Sequence, residues 1–390
     1  MRRPLPSPQK ADTVIVGMSG GVDSAVAALL LRDAGYSVQG LFMSNWEGDD
    51  AYCTTAEDFQ DARRVSEKLG IPLHRVSFAG EYRDRVFKLF LQEYSAGRTP
   101  NPDVLCNREI KFGICLEYMQ RLGATWIATG HYARIERNGP HVQLLKAADL
   151  GKDQSYFLHS VTPSALAKTL FPLGELRKSQ VRSLAHAAGL MVYDKPDSTG
   201  ICFIGERPFQ EFLSSHLHTE AGPIETPDGR IVGEHRGLAL YTLGQRSGLK
   251  IGGRAGASAA PWYVADKIIA RNALIVVQDQ DHPLLLSDAF SVEQMHWIDP
   301  GETPVGALEC AVKTRYRQSD LPCSLQSGDE LSWRVTLDRP ARAVTPGQYA
   351  VFYDGERCIG GGVIAQRCNS ARPPMARGIT YNSLFSVEGS

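Results

Sequence analysis

Three short stretches hold residue types that could do chemistry. The string SGGVDS at 19–24 sets two glycines among hydroxyls and a carboxylate. Adjacent glycines let a backbone take φ > 0 and remove side chains that would block a phosphate. The first-turn N–H groups of a following helix point outward without intrahelical partners. Ser19 and Ser24 add hydroxyl donors, while Asp23 would repel a bare phosphate but could hold magnesium bound to one. At 97–111, GRTPNPDVLCNREIK places Asp103 three residues before Cys106. A helix beginning after Pro102 would put both on one face, with the thiol near the N-terminal end, where a thiolate is stabilised. A core cysteine beside a capping aspartate is the competing reading of the same spacing. The third stretch, DSTGICFIGERPF at 197–209, carries Cys202 among polar residues and glycines. Cys106 and Cys202 read as two exposed sulfurs on separate loops. One could carry sulfur as a persulfide and the other could attack or resolve it.

These residues need a scaffold. The apolar run Val14, Ile15 and Val16 predicts a buried strand, and a helix follows the glycine turn from Asp23 onward. Further strands are expected over 37–43, 71–78 and 125–129, with helices over 54–69, 81–94 and 112–122. That alternation predicts a parallel sheet covered on both faces, with ligands at the carboxyl ends of its strands. Met43 lies at one such end and Gly130 at another. His131 could bond a substrate or cap a local network, and 142–146 could form a small hairpin strand. In KDQSY at 152–156, Lys152 could meet phosphate while Gln154 or Tyr156 meets a base or sugar; an ordinary helix start fits as well.

Beyond about residue 214, glycines and prolines punctuate short apolar runs, which favours a small central or linker domain. Its basic stretch at 235–253 could follow an RNA backbone. Short alternating runs from 284 to 366 predict a compact antiparallel barrel, and KTRYR at 313–317 joins positive charge to an aromatic. The expected division is a flexible arm at 1–11, a catalytic domain at 12–214, the central domain at 215–283, the barrel at 284–368 and an extension at 369–390.

With 390 residues, the chain exceeds one core, and a net charge of −1 argues against a wholly basic nucleic-acid coat without excluding local patches. Eight cysteines without a C-x-x-C pair suit neither a secreted disulfide scaffold nor a structural zinc site, so no zinc is expected. No stretch approaches the ~20 apolar residues of a membrane span, so a cytoplasmic protein away from membranes is expected. Cys53, Cys115, Cys310, Cys323, Cys358 and Cys368 read as core residues.

SGGVDS resembles the pyrophosphatase loop (PP-loop) of the ATP pyrophosphatases, which adenylate a substrate and release diphosphate. Six further segments extend the likeness: GLFMSNW at 40–46, GRTPNPDVLCNREIKF at 97–112, ATGHYAR at 128–134, KDQSYFL at 152–158, DSTGICFIGERPFQEFL at 197–213 and TPGQYAVFYDGERCIGGG at 345–362. Together they resemble the bacterial tRNA-specific 2-thiouridylase family over residues 12–367. The resemblance implies an adenine nucleotide alpha hydrolase-like α/β domain followed by the central domain and the barrel. It implies ATP and magnesium, adenylation of the C2 oxygen of wobble uridine 34 in tRNAs for Lys, Glu and Gln, and replacement of that oxygen by sulfur. A cysteine desulfurase or relay protein would supply persulfide sulfur, and a monomer is expected.

By that resemblance, Gly17, Met18, Ser19, Gly20, Gly21, Val22, Asp23 and Ser24 cradle ATP with Met43 and Gly130, and Asp23 is the candidate magnesium contact. Asn101, Pro102 and Asp103 surround the base, with Asp103 as acid or base. Cys202 bears the persulfide, and Cys106 either releases hydrosulfide or closes a disulfide with Cys202 that a cellular reductant must reopen. Contacts to tRNA fall to His131, Lys152, Asp153, Gln154, Arg315, Tyr316 and Gln348. Two other functions compete: an ATP pyrophosphatase that adenylates a substrate for amidation, and an ATP-regulated RNA-binding protein without turnover. The paired cysteine stretches and the RNA-like C-terminal patches argue against the first, and turnover with ATP, tRNA and a persulfide donor separates the second.

Overall fold

Val14, Ile15 and Val16 are completely buried, as a strand covered on both faces requires. The protein is described by a computed structural model covering residues 6, 12–46, 55–139, 141–197, 209–251, 260–328 and 332–369. In chain order the first strands are β1 Thr13–Gly17, β2 Ser37–Ser44, β3 Leu73–Ser77 and β4 Trp126–Ala128. A hairpin of β5 Arg134–Asn138 and β6 His141–Leu145 follows, then β7 Thr169–Leu170. Strands β1 to β4 and β7 make the parallel sheet in the order β3-β2-β1-β4-β7. The order reverses direction between β1 and β4, which makes their carboxyl ends the place where such a sheet opens a crevice.

One face of the sheet packs Val14 and Val16 against the helices α1, Val22–Asp33, and α2, Thr55–Leu69. The other packs Ile15, Leu41 and Ile127 into a cluster with Phe90, Val104, Leu105, Cys106 and Ile110. The helix predicted over 81–94 is interrupted: Ala79–Tyr82 and Lys88–Ser95 flank a π-helical turn at Arg83–Phe87. The helix expected over 112–122 begins earlier, at Pro102–Leu105, and continues as a π-helical stretch, Cys106–Ile114, into Cys115–Arg121.

The central domain is a four-stranded sheet of β8 Gly222–Glu225, β9 Ile231–His235, β10 Trp262–Ile268 and β11 Ala273–Gln278, in the order β10-β11-β8-β9. The barrel uses β12 Leu286–Trp297, β13 Leu308–Lys313, β14 Leu321–Ser327, β15 Trp333–Arg342, β16 Tyr349–Asp354 and β17 Arg357–Cys368, closed by antiparallel pairing of β12 with β17. The α/β domain, central domain and antiparallel barrel agree with the expected architecture. One connection was not expected: β6 pairs with β17 through Leu145↔Arg357 and Leu144↔Cys358, so a hairpin of the first domain extends the barrel sheet.

Candidate active site

The loop at 17–24 leaves β1 at the sheet's reversal point. Its glycines do different things. Gly20 has φ +77°, and a Cβ there would lie 2.3 Å from the Asp58 carbonyl oxygen, so the position excludes a side chain twice over. Gly21 is extended at φ −97° and precedes α1, and a Cβ there would meet only Ser19 Oγ at 3.5 Å. Only Gly20 therefore takes the positive φ that the paired glycines suggested; Gly21 instead leaves an open side. Ser24 also departs from expectation. Its buried hydroxyl accepts from the Ser19 amide at 3.1 Å and donates to the Gly21 carbonyl at 3.1 Å, so it braces the loop from within. Ser19 is exposed, whereas Met18 and Val22 turn buried side chains inward and present only backbone. The amides of Val22, Asp23 and Ser24 belong to the first turn of α1, where no intrahelical acceptor exists.

Met43 reaches this loop, its Cε 3.9 Å from where a Gly17 Cβ would be. At Gly130 a Cβ would fall 2.7 Å from Asp23 C and Ser24 N. The close approach at Gly130 is thus made by the backbone of the 17–24 loop itself.

Charge surrounds the loop. Lys178, on the helix Lys178–Ala187, donates to both Asp23 oxygens at 2.8 and 2.7 Å and pairs with Asp197 at 2.7 Å. Tyr132 donates its hydroxyl to Asp23 at 2.8 Å. Asp197 also holds Lys152 at 2.6 Å and Arg182 at 3.2 Å. Burial alone would raise the Asp197 carboxyl, but hydrogen bonds from Lys152 and Lys178 prevail and bring it down to about 2. Behind the loop, Lys195 donates to the Gly20 carbonyl at 3.1 Å and pairs with Asp58 and Asp61 of α2 at 2.8 and 2.6 Å. Lys178 and Lys195 carried no signal in the sequence, because nothing local distinguishes a lysine that closes on a loop more than 150 positions earlier.

The second half of the site is the start of the helix at Pro102. Asn101 caps it, its Oδ1 accepting from the Asp103 and Val104 amides at 3.2 and 3.4 Å. Asp103 is half-buried. Cys106 is only 1% exposed and packs in the sheet-face cluster, which corrects the expectation of an exposed loop sulfur. The cap starts the helix early enough that Cys106 sits a turn inside it, on the face that carries Leu105 and Ile110 to the core. Cys202 and Cys53 lie outside the described residues.

The two C-terminal domains grip the strap just before this helix. Gln348 donates to the Thr99 and Pro100 carbonyls at 2.8 and 3.2 Å, and the Thr99 amide donates to the Pro346 carbonyl at 3.0 Å. Gly347 has φ +90°, and a Cβ there would lie 2.8 Å from the Thr99 amide nitrogen. From the central domain, Lys267 donates to the Gly97 carbonyl at 3.1 Å, and the Thr242 and Thr99 hydroxyls are 3.4 Å apart.

Several positions expected to face tRNA are otherwise engaged. Asp153 is buried and accepts from the Ala147 amide at 3.0 Å and the Ser155 hydroxyl at 2.9 Å, a local capping role that leaves its carboxylate no outward face. Gln154 accepts from the Tyr132 amide at 2.9 Å, and Tyr156 is buried, donating to the Tyr349 carbonyl at 3.0 Å. Arg315 donates to the Leu243 and Ala343 carbonyls at 2.8 and 3.0 Å, tying barrel to central domain, and Tyr316 rests on Phe157 with ring centroids 4.5 Å apart. His131 meets the Thr129 hydroxyl at 2.8 Å between Phe112 and Phe171. Burial and then the Lys111 charge push its imidazole well below the usual range, so it is neutral.

A parallel sheet with a glycine loop and an open helix start at its reversal point is the nucleotide site of an α/β ATP-using enzyme. Family models fit the chain in three blocks: tRNA methyl transferase HUP domain over 12–206, tRNA methyl transferase PRC-barrel domain over 210–278 and aminomethyltransferase beta-barrel domain over 287–364. The chain is 56% identical over 360 residues to the tRNA-specific 2-thiouridylase MnmA of Vibrio cholerae, covering 91% of this chain and 96% of that one. It is likewise 56% identical over 354 residues to the Methylococcus capsulatus protein of the same name, covering 90% and 95%. Among solved structures, the U34-tRNA thiolase NcsA from Methanococcus maripaludis is 21% identical, with a TM-score of 0.34 over 53% of this chain and 66% of that one. The chain belongs to the tRNA-specific 2-thiouridylase family.

Proposed function

We propose that the protein is a tRNA-uridine 2-sulfurtransferase: it uses ATP to adenylate the C2 oxygen of wobble uridine and replaces that oxygen with persulfide-derived sulfur, giving 2-thiouridine, AMP and diphosphate. The 56% identity to a 2-thiouridylase over 91% of the chain carries this reading, because it spans the nucleotide loop, the Asp103–Cys106 helix and both C-terminal domains together. Lys, Glu and Gln tRNAs are the expected substrates, a cysteine desulfurase or relay protein the donor, and the cytoplasm the setting. No helix among the described residues is long and apolar enough to cross a membrane.

A uracil C2 oxygen leaves poorly, so its attack on the α-phosphorus of ATP comes first and turns it into part of an AMP leaving group. The first-turn amides of α1 and the open side of Gly21 suit the phosphates, and Lys178 lies ready to offset their charge. No group of three or more His, Cys, Asp or Glu among the described residues could hold a metal ion. Asp23, at the start of α1 and bonded to Lys178 and Tyr132, would contact magnesium carried on the phosphates, an ion that would offset charge on the departing diphosphate. Asp103, half-buried at the start of the Pro102 helix, would hold or pass a proton at the base, which must leave the anticodon stack to reach it.

Cys202 would deliver the sulfur. Either its persulfide attacks C2 and Cys106 then cleaves the link, or Cys106 first frees hydrosulfide. Both leave a Cys106–Cys202 disulfide that a reductant must reopen. Incubation with ATP, magnesium, unmodified glutamate tRNA and a persulfide donor should yield a thiolated wobble base. Absence of thiolation with an active donor and folded tRNA would overturn the assignment. In the same assay Cys202→Ala should stop persulfide-dependent turnover while ATP still binds.

A further inference from the structure

The barrel carries a second pair of sulfurs that the thiolation reaction does not use. Cys310 on β13 and Cys323 on β14 are directly opposed in an antiparallel pair, with their Sγ atoms 3.7 Å apart. Opposed residues of such a pair have Cα atoms about 4.5–5.5 Å apart and side chains on one face, inside the ~4.4–6.8 Å window that a disulfide bridges. Rotation about the two Cα–Cβ bonds is the movement that would close the remaining gap. Their exposures differ: Cys310 is half-buried at the edge of the barrel core, whereas Cys323 is 1% exposed within it.

We propose that Cys310 and Cys323 form a reversible thiol–disulfide site whose substrates are low-molecular-weight disulfides such as glutathione disulfide. The accessible Cys310 thiolate attacks one sulfur of glutathione disulfide, forming a mixed disulfide and releasing one glutathione thiolate, which takes up a proton. Cys323 then gives its proton to solvent and attacks the Cys310 sulfur, releasing the second glutathione thiolate. Two electrons leave the protein dithiol and convert one glutathione disulfide into two thiols. The order of attack follows from the site. The Cys323 thiol is raised by its hydrogen bond to Cys310, by burial, and by the charges of Cys310, Asp338 and Glu309, so it acts second, once Cys310 is capped. A cross-strand bond here would staple β13 immediately before Arg315, the residue that ties the barrel to the central domain. In a reducing cytoplasm the pair rests as thiols and closes only as the glutathione pool becomes oxidised.

Digestion after Lys and Arg puts the two cysteines on separate peptides, 272–313 and 318–334, so the bond is read directly by mass. The full chain is equilibrated in glutathione buffers of increasing oxidation and its free thiols are blocked before digestion. The linked peptide should appear in oxidised buffer and vanish in excess glutathione. Cys323→Ser should stop at a glutathione adduct on Cys310, while Cys310→Ser should leave Cys323 a free thiol. No linked peptide in folded wild-type protein at any ratio would overturn the proposal, a result that needs no variant to fold. Equal glutathione capture by Cys323 in Cys310→Ser would overturn the order of attack. Cys310→Ser should keep the thiolation rate within about twofold in reducing buffer.

Discussion

The nucleotide loop and the helix start proposed to receive the base are held by different means. Around the PP-loop the restraints are ionic and come from the same domain: Lys195 joins Gly20 to Asp58 and Asp61, and Lys178 is shared by Asp23 and Asp197. Before Asp103 they are hydrogen bonds to the strap's backbone, supplied by the barrel through Gln348 and the Pro346 carbonyl and by the central domain through Lys267, with no carboxylate of those domains involved. An ion network that shares one lysine between two carboxylates can exchange partners when a polyanion arrives. Backbone bonds from two other domains can only hold or let go. The nucleotide end is thus built to respond and the base end to stay in place, which gives the two C-terminal domains a positioning duty besides any contact with RNA.

The largest effect expected from breaking this contrast is at Gly20. Alanine there must adopt a left-handed φ, costing about 1–2 kcal/mol, and must displace the Asp58 backbone. Gly20→Ala should weaken ATP binding by about 100-fold or more in calorimetric titration, with thiolation lost alongside. At the other end, Gln348→Ala removes two hydrogen bonds worth about 0.5–1.5 kcal/mol each. Thiolation should slow by about five- to tenfold while the ATP Kd is unchanged. An equal loss in ATP affinity would erase the distinction between the two ends.

A further effect, on stability rather than on turnover, concerns pH. His159, fully buried, bonds the Tyr156 carbonyl at 2.7 Å and lies against Tyr349. Burial pushes its imidazole down to about 3 from the usual 6.5; the Tyr156 bond opposes this, and His296 and Arg108 add to it. The folded state holds His159 neutral, whereas the unfolded chain binds a proton below 6.5. Its contribution is complete above pH 6.5 and is lost as pH falls toward 3, with a slope approaching about 1.4 kcal/mol per pH unit. Denaturant unfolding from pH 7 to 5 should show the decline, and His159→Gln should flatten it.

What the sequence made legible was local. The strand, glycine turn and helix at 12–34 are contiguous, so their apolar run and punctuation suffice to read them, and the barrel shows itself in short alternating strands. Partners far away in sequence were not legible. Gln154, Arg315 and Gln348 are polar residues in polar surroundings, and nothing local separates a side chain bound for RNA from one bound to a distant carbonyl. Cys106 was misread as exposed because neighbouring prolines and polar residues suggest a loop, whereas Asn101 capping and the packing of Leu105 and Ile110 make the segment a buried helix. The pairing of β6 with β17 joins residues more than 200 positions apart and leaves no trace in either strand.

The most direct test of the division between the two ends is Gly347→Ala, because an alanine Cβ would strike the Thr99 backbone without touching the PP-loop. ATP affinity and single-turnover thiolation are measured side by side on folded protein. An ATP Kd within about twofold of wild type with thiolation slowed at least about tenfold is the predicted result. Unchanged thiolation, or parallel loss of ATP binding, would contradict it.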